Sequence, residues 1–255
     1  MIYDIQKASL LKRFAAALLD FFLVVILAVG VMWLMSLITG IGKYADLLQG
    51  YYDEYGEKYG VNFSISEEDY NQLSQAEKDR YDDVYQMIFK EHPDAAAAYV
   101  KTQRYPLLII SVGILIPALV FEFLIPLLLK NGRTVGKRVF NLGVVFKNSV
   151  KMSNFALFVR AVLGKYTIAM MIPALLLYMS FTGILGYVGL IVLGLFVVLQ
   201  LVIFFATKNR LFIHDVLANT VVVDMQTQMV FDTYDELVQC VEAAHAEQAS
   251  KAEYK

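Results

Sequence analysis

Apolar residues along the chain gather into four long stretches separated by polar segments. The stretches run from about Phe14 to Ile38, Pro106 to Leu129, Tyr166 to Phe181 and Ile184 to Ala206. The first contains an unbroken run from Phe21 to Met35. About 20 mostly apolar residues are needed for a helix to cross roughly 30 Å of hydrocarbon. Four such stretches in one chain predict an all-α membrane protein. Its expected architecture is four transmembrane helices, interfacial amphipathic helices and a small helical extracytoplasmic insert.

Charge sharpens this picture because of where it falls. Lys130, Arg133, Lys137, Arg138, Lys147, Lys151, Arg160 and Lys165 lie between the second and third stretches, with no acid among them. Such a loop is expected to remain in the cytoplasm, and Lys7, Lys12 and Arg13 put the N-terminus on the same side. Gly40–Arg104 carries 7 basic against 13 acidic residues, which suits the opposite side. The expected organisation is 1–39 N-terminus and first span, 40–105 external insert, 106–129 second span, 130–165 basic cytoplasmic loop, 166–206 a hairpin of spans, and 207–255 cytoplasmic tail. The first span has too long an apolar core for a cleaved secretory signal, and Asp20 interrupts it, so it is read as retained. The composition, 58% hydrophobic and 18% charged, agrees with a membrane chain. A net charge of −2 suggests no nucleic-acid partner, and the lone Cys240 no disulfide framework.

The segments between spans carry recognisable local signals. Ser74-Gln75-Ala76-Glu77 has capping-box form, and Tyr81, Val84, Tyr85 and Ile88 recur on one helix face. His92-Pro93 ends that helix. The tyrosines of the insert are read as packing together, or as a vestibule that concentrates cations. The basic loop opens with Gly132-Arg133-Thr134-Val135-Gly136-Lys137-Arg138 and continues with Phe140, Leu142, Val144 and Val145. This interleaving predicts a segment lying against anionic lipid headgroups. Ser153 is placed as the cap of a second amphipathic helix carrying Phe155, Phe158 and Arg160. His214-Asp215 belongs to another interfacial segment, in which the two side chains orient one another or contact the Gly132–Arg138 loop. Thr220–Val223 is strand-like, and the tail from Asp232 is an amphipathic helix with Leu237, Val238, Val241 and Ala244 on one face.

The residues that stand out are polar ones inside spans. Asp20 and Glu122 are the only acids there. A charge at mid-membrane costs about 2.5–3.5 kcal/mol on insertion scales, so such residues face partners or a water path. At 1.5 Å per residue, Asp20, Glu122 and Gln200 all lie roughly 10–12 Å in from the cytoplasmic end of their helices. Pro173 can free a carbonyl at that level. Two readings follow. In one, the layer exchanges protons for cations, because neighbouring carboxylates raise each other's proton affinity. In the other it is structural: Asp20 pairs with Arg13, Arg133 or Arg160, and Glu122 bonds Gln200.

No metal-ligating, cysteine-pair or nucleophile-elbow pattern is present, and His92, His214 and His245 are far apart, so neither catalysis nor a cofactor is expected. Arg13 at the mouth of the first span, Asp20 within it, Gly-Arg-Thr-x-Gly-Lys-Arg at Gly132–Arg138, Arg160, and His214-Asp215 after the last span together resemble the RDD membrane proteins. The resemblance covers roughly Ala8–Thr39 and Pro106–Asp224. Asp20 and Asp215 stand at the two aspartate positions for which, with Arg13, that family is named. The resemblance implies a bacterial inner-membrane protein. Some members are monovalent-cation/proton antiporters using Na+, Li+ or K+, and others are membrane modules beside further domains. The expected ion or proton group is therefore Asp20, Glu122 and Gln200, supported by Arg13, Arg133, Arg160 and Asp215. The alternative is a non-transporting scaffold that docks a membrane-protein partner or a second copy.

Overall fold

A computed structural model describes residues 5–253. Four of its helices are long and apolar enough to cross a membrane: α1 (Leu10–Thr39), α5 (Pro93–Leu129), α7 (Asn154–Phe181) and α8 (Gly186–Ala206). Between α1 and α5 come α2 (Ile41–Tyr59), α3 (Glu67–Gln72) and α4 (Gln75–Glu91). The short helix α6 (Val135–Val139) and strand β1 (Leu142–Phe146) separate α5 from α7, and α9 (Ile213–Leu217), β2 (Thr220–Asp224) and α10 (Tyr234–Glu253) follow α8. The chain divides into two compact units, one formed by the residues up to Val29 together with those from Gly113 onward, the other by Gly30–Val112.

The third span departs from its sequence-based boundary for a physical reason. Sixteen residues at 1.5 Å each reach only about 24 Å, short of the hydrocarbon thickness. The helix capped by Ser153, whose Oγ accepts from the Ala156 N–H, does not stop as a separate interfacial piece. It runs on through Arg160 and Lys165 to Phe181. Two stretches, Leu119–Leu124 in α5 and Val159–Met171 in α7, are wound with the wider i→i+5 hydrogen bond. Each leads towards a proline, Pro126 and Pro173 respectively, which has no N–H to donate.

The basic loop also differs from the interfacial segment expected of it. Leu142–Phe146 is a buried strand, antiparallel to Thr220–Asp224, with Leu142 opposite Asp224 and Phe146 opposite Thr220. Both faces of this ribbon are covered. Leu142, Val144 and Val222 join Ala8, Ala16, Met152, Ala156 and Leu157 in one apolar cluster. Val145, Val221 and Val223 join Leu211 in another. Alternation in these strands therefore separates two buried faces, not headgroup from water. Gly132, at φ +58°, turns the chain out of α5 against Met152 and Val144, where a Cβ would come within 2.6 Å of the Met152 side chain.

The Gly30–Val112 unit matches its reading closely. The Ser74–Glu77 capping box is formed in both directions, and His92 ends α4. Leu48 and Tyr55 of α2 pack on Val84 and Ile88 of α4 and on Ala95 and Ala98 of α5. The tyrosines pack on one another and on Phe63. Tyr55 is buried, its hydroxyl 2.5 Å from Glu91 and 2.9 Å from His92 Nε2.

Candidate functional site

Asp20 faces inward from α1 and is 5% exposed. Its partners come from the turn after α5. Thr134, the N-cap of α6, donates its hydroxyl to Asp20 Oδ2 at 2.5 Å, and the Gly136 N–H donates to Oδ1 at 2.7 Å. Thr134 Oγ1 in turn accepts from the Lys137 N–H at 3.3 Å and from Lys137 Nζ at 3.2 Å. This approach requires glycine at 136, because a Cβ there would lie 2.2 Å from the Ala16 carbonyl oxygen. The turn is thereby closed onto α1 by backbone and side chain together.

Two ion pairs flank it. Glu122 on the widened part of α5 pairs with Lys165 of α7. Arg160 of α7 donates through Nη2 to Asp215 Oδ1 of α9 at 2.6 Å, with side-chain exposures of 4% and 1%. In an α-helix, positions 160 and 165 would diverge by about 140° around the axis. With i→i+5 winding they stand nearly above one another, so one face of α7 serves both carboxylates. Asp215 also accepts from the Phe212 N–H and the Thr220 hydroxyl. Burial acts to raise its pKa, but the Arg160 guanidinium and neighbouring charges hold it well below the usual carboxylate range. Burial pushes His214 down to about 3, so its ring is neutral, with Nε2 3.6 Å from Asp215 Oδ2. Burial, reinforced by Lys165, likewise brings the Lys137 ammonium down to about 7.

Several expected pairings are replaced by others. Among the described residues Asp20 meets no arginine, and its donors are Thr134 and Gly136. Arg13 instead donates to the Asn209 and Arg210 carbonyls after α8, and Lys12 pairs with Asp224 at 2.7 Å. Arg160 belongs to Asp215, and the buried Nε of Arg133 has no hydrogen-bond partner among the described residues. Glu122 takes Lys165, not Gln200, since a primary ammonium offers a carboxylate far more in a dry site than an amide does. Gln200 lies apart, in an apolar groove with His214. His214 does not rest on the Gly132–Arg138 loop. It packs on Gly164 of α7, where a Cβ would sit 2.5 Å from the His214 Cβ.

Thr134, Gly136, Lys137 and Lys165 are the members that sequence reasoning passed over as site residues. The signal for the first two was a capping threonine two residues before a glycine, directly after a span. A Lys165 partner was hidden by the change of helical winding. Among the described residues no group of three or more His, Cys, Asp or Glu side chains is arranged to hold a metal ion.

The RDD family model matches residues 7–219, which includes every member of the ion cluster. No curated protein matches the chain. No solved structure matches it either.

Proposed function

As the chain belongs to the RDD family and carries four apolar helices of membrane-spanning length, we propose that it is a multi-pass, non-transporting module of the bacterial inner membrane that holds a cytoplasmic cap for partner proteins. Both termini lie in the cytoplasm on this reading, as the acid-free basic segment 130–165 requires. The observation that carries it is the state of Asp20. Its two oxygens are already engaged by Thr134 and Gly136 in a buried contact. A carboxylate so satisfied acts as a clamp between span and cap, and the cap, built on the buried β1–β2 ribbon, presents α10.

One observation favours a second reading, exchange of a monovalent cation for a proton. Lys137 is buried, and among the described residues no carboxylate lies within ion-pair distance of it. An ammonium so placed gives up its proton more readily than a paired one.

Proteoliposomes with a pH-sensitive dye, loaded with wild type or Asp20→Asn, separate the two. The clamp reading expects no cation-driven proton movement from wild type, and a loss of thermal stability in Asp20→Asn. Sodium- or potassium-driven proton movement by wild type that Asp20→Asn abolishes would overturn it in favour of exchange.

A further inference from the structure

Gln200 is the one residue of the expected polar layer that the ion cluster does not use. It opens into a groove of about 500 Å³ between α7, α8 and α9. The walls are Pro173 of α7, Leu193, Phe196 and Leu201 of α8, and Phe212 at the start of α9. Two polar groups interrupt them, the Gln200 amide and the His214 ring. Among the described residues the Gln200 amide makes no hydrogen bond, and it lies six residues before the last residue of α8, roughly 9 Å deep at 1.5 Å per residue. Hydrocarbon offers such an amide nothing, so a lone one there is costly unless an occupant supplies the missing partner.

The lining fixes the chemistry of that occupant. Most of the wall is apolar, which calls for a hydrocarbon body. Among the described residues no Asp, Glu, Lys or Arg lines the groove, so its walls do not compensate a charged head. An amide donates and accepts, and a neutral imidazole adds a ring nitrogen, which suits an uncharged hydroxyl or carbonyl. The volume falls in the range of small-molecule sites, which are mostly apolar with a few converging polar groups. Bulk phospholipid tails would cover the walls yet leave the amide unpaired. We propose that this groove binds a neutral-headed lipid, with its hydroxyl or carbonyl at Gln200 and His214 and its chain along Leu193 and Phe196. The inference is independent of whether the ion cluster clamps or exchanges.

The test uses the full chain in phosphatidylcholine nanodiscs and a diacylglycerol carrying a diazirine in one acyl chain. After photolysis the labelled peptides are mapped by mass spectrometry. Saturable labelling of the 193–212 region is expected, competed by unlabelled diacylglycerol. Gln200→Leu, which keeps the span apolar and intact, should lower the apparent affinity by roughly three- to tenfold, the worth of one hydrogen bond. Val197→Trp should abolish labelling by filling the groove. A phosphatidylglycerol with the same diazirine chain is the control. Equal labelling by that lipid, or unchanged affinity in Gln200→Leu, would mean ordinary lipid solvation of the helices and overturn the proposal.

Discussion

The pair Arg160–Asp215 offers the sharpest test of the idea that buried charge locks cap to spans. The two side chains meet at 2.6 Å through Arg160 Nη2, with exposures of 4% and 1%, and among the described residues the buried Arg160 Nε has no hydrogen-bond partner. Asp215→Asn therefore strands a guanidinium, and Arg160→Met strands a carboxylate whose hydrogen-bond donors among the described residues are then the Phe212 N–H and the Thr220 hydroxyl, with the neutral His214 ring 3.6 Å away. Breaking one side of a buried pair costs about 3–5 kcal/mol, whereas replacing both sides by apolar groups of similar volume is often close to neutral. Each single substitution should then lower the midpoint of thermal unfolding by about 6–20 °C, at 2–4 °C per kcal/mol for a chain of this size. The double variant Arg160→Met/Asp215→Leu should recover most of the loss. Unfolding in nanodiscs, followed by tryptophan-independent probes such as far-ultraviolet circular dichroism, measures all four corners of the cycle. The reasoning is refuted if the double variant loses as much as the two singles added together, or if either single variant unfolds with wild type.

Three further outcomes follow from other contacts. Gly136→Ala places a methyl group 2.2 Å from the Ala16 carbonyl oxygen, and should destabilise by about 1–3 kcal/mol or more; wild-type stability would refute the close approach. Lys137, pushed down to about 7 by burial and by Lys165 and Arg160, against the opposing pull of Glu122, Asp20 and Asp215, stays protonated to about pH 10 when unfolded, so the unfolded state holds the extra proton between those values and stability rises with pH across them. Lys137→Met should flatten that rise, as measured by unfolding midpoints at pH 7 to 10. In the Gly30–Val112 unit, Tyr55→Phe removes the hydroxyl bonded to Glu91 and His92 and should cost about 1–3 kcal/mol, read as faster amide exchange in α2 and α4.

What the sequence disclosed follows the range over which each signal acts. Hydropathy is local and additive, so α1, α5, α7 and α8 were all visible, and so was the Ser74–Glu77 cap. Asp20 and Glu122 were conspicuous because lipid penalises them wherever their partners stand. The partners themselves were not visible. Strand β1 reads from sequence as a headgroup-facing segment because a short apolar stretch with flanking lysines looks the same either way, and its pairing strand begins at Thr220, beyond two spans. Arg160 and Asp215 were named as candidates, but α-helical spacing gives no reason to join Arg160 with Lys165. Only the i→i+5 winding of Val159–Met171 brings them to one face. Gln200 failed as a partner for Glu122 because depth along a helix says nothing of direction around it.

The third span explains why the charges are arranged this way. Its apolar 18-residue stretch has a mean hydropathy of 1.6, against 2.6 to 3.0 for those of the other three. Two unpaired basic residues in such a helix would cost about 5–7 kcal/mol on insertion scales. Glu122 from the second span and Asp215 from the segment after the fourth neutralise them, so α7 becomes a comfortable membrane helix only when its neighbours have folded around it. Its first turn meanwhile contributes Ala156 and Leu157 to the apolar cluster that holds β1. The same helix is thus cap at one end and span at the other, and the ion cluster sits where the two roles meet. A device that must open its carboxylates to a passing ion would have to break this coupling at every cycle. A module that must keep such a cap in fixed register with its spans gains from each of these contacts, and that asymmetry is the physical ground for preferring the clamp.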